Sequence, residues 1–171
     1  LIKAFDAPAV DDDTGAVTTN DQRRAVGFGF VDSVYMTGSL LMPTLLRYQA
    51  AKELAELCLA GDHVGGARRF STITKQIVAH LPGIFASTNA EDGWLKAATG
   101  ISGQPDVWGT LLALHMKILP ADGNQRAITA VTRAMHDGTI EHAGAVRHVP
   151  TDRDAGPNTA WQRSVAGHNI H

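Results

Sequence analysis

Residues 105–119 read PDVWGTLLALHMKIL, and this stretch decides how the rest of the sequence is interpreted. Pro105 favours the first turn of a helix, and the residues after Asp106 are apolar on nearly every side of that helix. A helix without a polar face has to be covered by other parts of the protein. The stretch therefore predicts a buried helix over residues 105–119.

A helix of a different kind is predicted directly after it. Pro120 and Gly123 break the buried pattern, and Asn124 is predicted to cap a second helix over residues 124–136. The apolar residues of this helix form one stripe, opposite polar residues such as Arg126. We therefore expect it to be half exposed.

The same two helix types stand earlier in the chain, in the same order. Residues 39–59 carry two apolar stripes, which predicts a helix covered on two sides. Residues 64–81 carry a single stripe, which predicts an amphipathic helix that Pro82 and Gly83 end. Residues 158–165 are interpreted as the start of a third buried helix.

This alternation predicts an all-α fold built from helical hairpins, with short turn segments between them. Buried helices would line the inside of a double-layered ring, and amphipathic helices would form its outer wall. A plain antiparallel four-helix bundle is the alternative. Residues 1–27 show no sustained apolar period, so we predict a loop or arm there and the helical domain over residues 28–171.

Five segments, taken together and in order, resemble one family. The resemblance extends over roughly residues 27–165 and is to the six-hairpin glycosidases. It implies an (α/α)6 barrel that hydrolyses a sugar in a cleft at one end. Complete barrels have six hairpins and this chain has about two and a half, so we expect an incomplete barrel. The segments are GFVDSVYMTGSLLMPTLLRYQAAKELAEL, DGWLKAATG, GQPDVWGTLLAL, DGTIEHAGAVRHVPT and TAWQ.

Three segments precede the predicted inner helices, at residues 28–38, 99–106 and 147–159. If those helices run the same way, the three segments meet at one mouth. Sugar hydroxyls are held by carboxylates, amides and Arg, and the apolar face of a sugar ring packs on Trp or Tyr. The segments supply candidates of each kind for substrate binding: Tyr35, Gln104, Trp108, Arg147 and His148.

The resemblance also implies a pair of carboxyl groups, one acting as acid and the other as base or nucleophile. The candidates are Asp32, Asp106 and Glu141. By analogy with the family we expect inversion at the anomeric carbon. Each carboxylate also has a structural interpretation. Asp32 and Asp106 can serve a helix start, where the helix dipole favours negative charge, and Glu141 can be a surface residue.

The remaining candidates have structural alternatives as well. Trp108 can belong to the core, and Arg147 and His148 can satisfy backbone carbonyls in a loop. Trp94 is expected to pack a turn against an outer helix. Cys58 is expected to be a buried structural thiol.

Composition excludes several classes of protein. The 171 residues are 44% hydrophobic and 19% charged, which is typical of one soluble globular domain. A net charge of −2 gives no reason to expect a nucleic acid or a membrane surface as partner. Histidine spacing and the run from Asp11 to Asp13 fit no metal-site pattern, so we expect no metal and no cofactor. No apolar run is long enough to span a bilayer, and no signal peptide is apparent. The cytoplasm is the favoured compartment.

Two functional hypotheses follow from the sequence. The first is a carbohydrate-active enzyme, a glycoside hydrolase. The second is a non-catalytic helical module that binds sugar or another protein. Since the chain begins at Leu1 and an incomplete ring leaves an apolar face open, we expect a fragment of a longer protein, and either a homo-oligomer or contact with the remainder of the barrel.

Overall fold

The predicted helical hairpins are present in a computed structural model of the chain. The structure describes residues 2–20, 25–26, 35–87, 89, 92–101 and 103–153, with residues 25, 26 and 35 described by their main chain alone. Within these residues the fold is largely helical, as predicted. The helix predicted at residues 158–165 lies outside the described residues. The helices are α1 (Ile2–Phe5), α2 (Leu41–Ala60), α3 (Val64–Phe85), α4 (Val107–Met116) and α5 (Ala121–His136).

The described strands are two residues long and form antiparallel pairs. β1 pairs with β4, β2 with β3 and β5 with β6. The first two pairs precede α2, and the third follows α5. These strands are β1 (Thr18–Thr19), β2 (Ala25–Val26), β3 (Tyr35–Met36), β4 (Gly38–Ser39), β5 (Glu141–His142) and β6 (Ala145–Val146).

The long helices pack in the order predicted for hairpins placed side by side. α2 contacts both α3 and α4, and α4 contacts α5. A core cluster joins α2, α3 and α4 through buried apolar side chains, and it includes Leu45, Leu81, Phe85 and Ala113. α4 buries four of its ten residues and α3 five of its twenty-two, so the predicted difference in burial is confirmed.

One prediction for α2 is wrong. Its first apolar stripe is buried, since Leu41 and Leu45 have no exposed surface. Its second stripe was expected to be covered too, but Leu46 is 39% exposed and Leu57 61%. The physical reason is that the core shared with α3 and α4 lies on the first stripe. Ala50 and Leu54 of the second stripe pack against a separate cluster that includes Phe5 and Phe70, so the prediction fails at Leu46 and Leu57.

Two helix ends also differ from the sequence-based prediction. Pro82 does not end α3, which continues to Phe85. Leu81 and Phe85 are one turn apart and both buried, and their packing offsets the hydrogen bond that Pro82 removes. Asn124 does not cap α5, because the helix already begins at Ala121 and the Asn124 amide donates to the Pro120 carbonyl at 2.8 Å.

The described part of the predicted N-terminal arm packs against the hairpin formed by α2 and α3. The Phe5 ring meets the Phe70 ring edge-on, with centroids 5.2 Å apart. The Thr44 hydroxyl accepts a hydrogen bond from the Val17 amide at 3.0 Å. Cys58 is half-buried instead of buried, and none of the described helices is long and apolar enough to cross a membrane.

Gly93 is a position where the fold requires glycine. Its φ is +74°, and a Cβ there would meet the Arg126 carbonyl group of α5, with the carbonyl carbon at 2.8 Å, and the Ala130 Cβ at 2.9 Å. Gly138 has a similar φ of +71°, but a Cβ there would meet no atom of the described residues within 4 Å. Substitutions at the two glycines therefore measure backbone strain and steric clash separately.

We expect Gly138→Ala to lower the free energy of unfolding by roughly 1–2 kcal/mol, the cost of the left-handed conformation. Gly93→Ala should cost roughly 1–3 kcal/mol more, because α5 must move. Urea denaturation followed by circular dichroism measures both. Equal losses for the two variants would contradict the close approach of Gly93 to α5.

Candidate functional site

The candidate site is built around the start of α4. Asp106 occupies the N-cap position, and its main-chain N–H donates to the Leu95 carbonyl at 2.8 Å. The Thr110 hydroxyl donates to the Asp106 carbonyl at 2.7 Å and accepts from the Leu95 amide at 3.1 Å. These bonds fix the segment before α4 against the first turn of the helix.

The Asp106 carboxylate is enclosed. The residue is 2% exposed, and its Oδ1 accepts the Gly109 amide at 2.7 Å. His148 Nε2 lies 3.2 Å from the same oxygen. A Cβ on Gly109 would meet Asp106 Oδ2 at 2.7 Å and a Leu41 methyl group at 2.5 Å. Glycine at position 109 therefore lets the carboxylate approach the helix end closely, a requirement that the sequence analysis did not identify.

The segment after β6 covers the other side of this helix end. The His148 carbonyl accepts the Val107 amide at 2.9 Å. The His148 and Trp108 rings are 5.1 Å apart with an interplanar angle of 38°, and Trp108 Nε1 donates to the Val146 carbonyl at 3.0 Å. Asp106, Trp108 and His148 thus form one cluster, as the sequence predicted.

Gln104 and Arg147 carry buried polar atoms without a hydrogen-bond partner among the described residues. Gln104 is 4% exposed, and neither its Oε1 nor its Nε2 has a hydrogen-bond partner there. The Arg147 side chain is half-buried, and its buried Nε also lacks a partner there. Buried polar groups are normally satisfied, so these atoms leave hydrogen bonds that the described residues do not make.

Glu141 lies in a tight hairpin between β5 and β6. Its Oε1 accepts the Gly144 amide at 2.8 Å, and the side chain is exposed. Ala143 and Gly144 both have positive φ, +50° and +81°, which is the signature of a type I′ turn. The carboxylate therefore supports the turn. Among the described residues, no hydrogen bond or ion pair joins it to Asp106.

Two predicted site residues are described incompletely or not at all. Asp32 lies outside the described residues. Tyr35 contributes its main chain to β3, opposite Val26, and its side chain is outside the description.

The described parts of the three pre-helix segments meet, as predicted. The Gly100 amide donates to the Thr37 carbonyl at 2.8 Å. A buried cluster includes Met36 and Val149, and Ile101 packs against it, so each of the three segments contributes a side chain. The segment that ends in Asp106 is therefore held between the other two.

The sequence analysis missed a second polar pair near this end of the molecule. Asp92 is 6% exposed, and Arg153 Nη2 lies 2.8 Å from its Oδ1. The two side chains form an ion pair, although that oxygen has no assigned hydrogen bond among the described residues. Trp94, two residues on, is 4% exposed and packs against Ala130 and Ala134 of α5, which confirms its predicted role.

Comparison with known protein families gives no match to any family model. Within the described residues, no group of three His, Cys, Asp or Glu side chains is placed to hold a metal ion. The chemistry of the site therefore has to be argued from its own side chains.

We expect Asp106→Ala and Asp106→Asn to destabilise the protein by different amounts. Asn keeps an oxygen for the Gly109 amide, so its cost should be ~1 kcal/mol or less, the usual worth of a dipole contact. Ala removes the cap and leaves His148 without its partner, at a cost of about 2–3 kcal/mol. Thermal and urea unfolding measure the difference. Equal costs would mean that Oδ1 does not cap α4.

Proposed function

We propose that this chain is part of an (α/α)6-type barrel that hydrolyses a glycosidic bond. The observation that carries the proposal is the meeting of the three pre-helix segments at one end of the hairpins. This end gathers a carboxylate, an imidazole, an indole and an unpartnered buried amide. These are the groups with which proteins hold sugar rings.

The proposed catalytic pair comes from Asp32, Asp106 and Glu141. One carboxyl group protonates the leaving oxygen, and the other activates water on the opposite face of the ring, with inversion. Gln104, Trp108, Arg147 and His148, together with Tyr35, bind the substrate. Because Asp106 contacts the His148 ring, it also fixes the orientation of that imidazole.

The second candidate function is sugar binding without hydrolysis, and one observation favours it. Asp106 Oδ1 is already used by the Gly109 amide and His148, and the residue is almost fully covered. A carboxylate in this state positions its neighbours without touching a reacting atom. In that case the module retains the binding side chains and lacks the acid and base.

Hydrolysis is tested with the purified chain and a panel of glycosides, by following the release of reducing sugar. We expect Asp106→Asn to lower kcat by at least ~100-fold if Asp106 is the base, the lower end for loss of a general base. Asp32→Asn and Glu141→Gln test the other two carboxylates. Asp122→Asn on α5 is the control, since that side chain is 70% exposed.

The outcomes separate the two candidate functions. A rise in KM larger than the fall in kcat would make Asp106 a substrate anchor. Sugar binding without any hydrolysis would support the non-catalytic module. If hydrolysis and binding are unchanged in Asp106→Asn, the capping of α4 is the one role that remains for Asp106.

We also propose that the chain associates with a second copy of itself or with the remainder of a barrel. The second stripe of α2 exposes Leu46 and Leu57, and Leu111 and Leu114 of α4 are only partly covered. A ring of hairpins buries such residues against the next hairpins. Exposed apolar surface of this kind marks an interaction site.

Sedimentation velocity at several concentrations tests this association. We expect wild type to form concentration-dependent oligomers, and Leu46→Glu with Leu57→Glu to shift the population towards monomer, because charge on the stripe opposes its burial. Ile128→Glu is the control, since Ile128 is 43% exposed on α5. A wild type that stays monomeric at all concentrations would contradict self-association.

A further inference from the structure

A polar cleft of about 240 Å³ lies beside the candidate site. It is separate from the cluster of Asp106, Trp108 and His148, none of which lines it. Its volume is below the roughly 300–1,000 Å³ of pockets for drug-sized ligands, so it has room for a single small ring. The polar or flexible lining residues are Ser87, Asp92, Lys96, Gly103, Asp152 and Arg153.

The cleft contains a buried charged side chain whose hydrogen bonds are incomplete. The Asp92 side chain is 5% exposed, and a carboxylate can accept about four hydrogen bonds. Arg153 neutralises its charge at 2.8 Å but makes no aligned hydrogen bond to Oδ1. A buried carboxylate oxygen without an aligned donor is costly unless another donor completes it. Hydroxyl groups of a ligand are suitable donors.

The charges that line the cleft identify the class of ligand. Lys96 and Arg153 carry positive charge, and Asp92 and Asp152 carry negative charge, so the lining has no net charge. Such a lining has no electrostatic preference for an anion or a cation. It offers both acceptors and donors at short range, which matches the adjacent hydroxyl groups of a neutral sugar.

The position of the cleft relates it to the proposed substrate. Pro105 lines the cleft and pairs with Lys96 across an isolated bridge, and the next residue is Asp106. From these observations we propose that the cleft is a subsite for one ring of a neutral sugar, with Asp92 accepting from its hydroxyls and Arg153 and Lys96 donating to them. The subsite rests on the proposed carbohydrate function and extends it to residues outside the Asp106 cluster.

Binding is measured with the purified full chain by saturation-transfer NMR and calorimetry. The probes are the methyl glycosides of glucose, galactose and mannose, with glucuronate as the charged comparison. Wild type should bind at least one neutral glycoside more tightly than glucuronate. Asp92→Asn should weaken that binding about 10- to 100-fold, the ordinary worth of hydrogen bonds to a charged group. Asp122→Asn is the matched control, since Asp122 also pairs with an arginine, Arg126, but on the exposed face of α5.

A second variant fills the cleft without altering its charges. Among the described residues, a Cβ on Gly103 would have the Ala98 carbonyl oxygen at 3.8 Å as its one neighbour within 4 Å, so Gly103→Leu has room at its base and occupies the cleft. This variant should abolish binding even if Asp92→Asn does not fold. Gly83→Leu is its control, because a Cβ there meets no atom of the described part of the chain within 4 Å and Gly83 does not line the cleft.

The outcomes distinguish this proposal from the proposed function. If wild type binds or hydrolyses sugar, and a folded Asp92→Asn or Gly103→Leu keeps its affinity, the subsite is overturned and the function stands. Tighter binding of glucuronate than of every neutral glycoside also overturns the subsite. If wild type neither binds nor hydrolyses any sugar of the panel, the function and the subsite are overturned together.

Discussion

The buried start of α4 is the constraint on which the rest of the structure depends. The first N–H groups of a helix have no partner within the helix, and in a buried position each of them needs one. Here the Gly109 amide is satisfied by the Asp106 carboxylate and the Val107 amide by the His148 carbonyl. The helix end therefore ties its own preceding segment to a segment about forty residues further along the chain.

This requirement explains why candidate functional groups gather where they do. The hydrogen bonds that complete the helix end also place the Trp108 and His148 rings 5.1 Å apart. Asp106 contributes to both, since its Oδ1 caps the helix and lies 3.2 Å from His148 Nε2. Capping alone accounts for one amide contact. The contact with the imidazole is buried, with 7% of the His148 side chain exposed. Capping does not require this contact, whereas a residue that orients the imidazole does.

Sequence reasoning predicted the parts of this structure that depend on local pattern. The four long helices follow from apolar periodicity. Pro105 predicted a carboxylate inside the first helical turn, but α4 begins at Val107 and Asp106 is its N-cap. Helix ends were less predictable, because the packing of Phe85 outweighs the break expected at Pro82. The pairing of Asp92 with Arg153 could not be predicted, since it joins residues about sixty positions apart and no local pattern links them.

The cluster at the start of α4 and the second stripe of α2 depend on different physical interactions. The cluster at the start of α4 is completed by hydrogen bonds within one chain, from Leu95, Gly109 and His148. The second stripe of α2 is apolar, and only burial against another surface can satisfy it. In the proposed barrel, absence of the neighbouring hairpin leaves Leu46 and Leu57 exposed without removing any of those hydrogen bonds. The proposed sugar-binding groups would then keep their arrangement, whereas a cleft that needs walls from further hairpins would not form. The oligomeric state and the chemistry of the site are consequently separable properties of this chain.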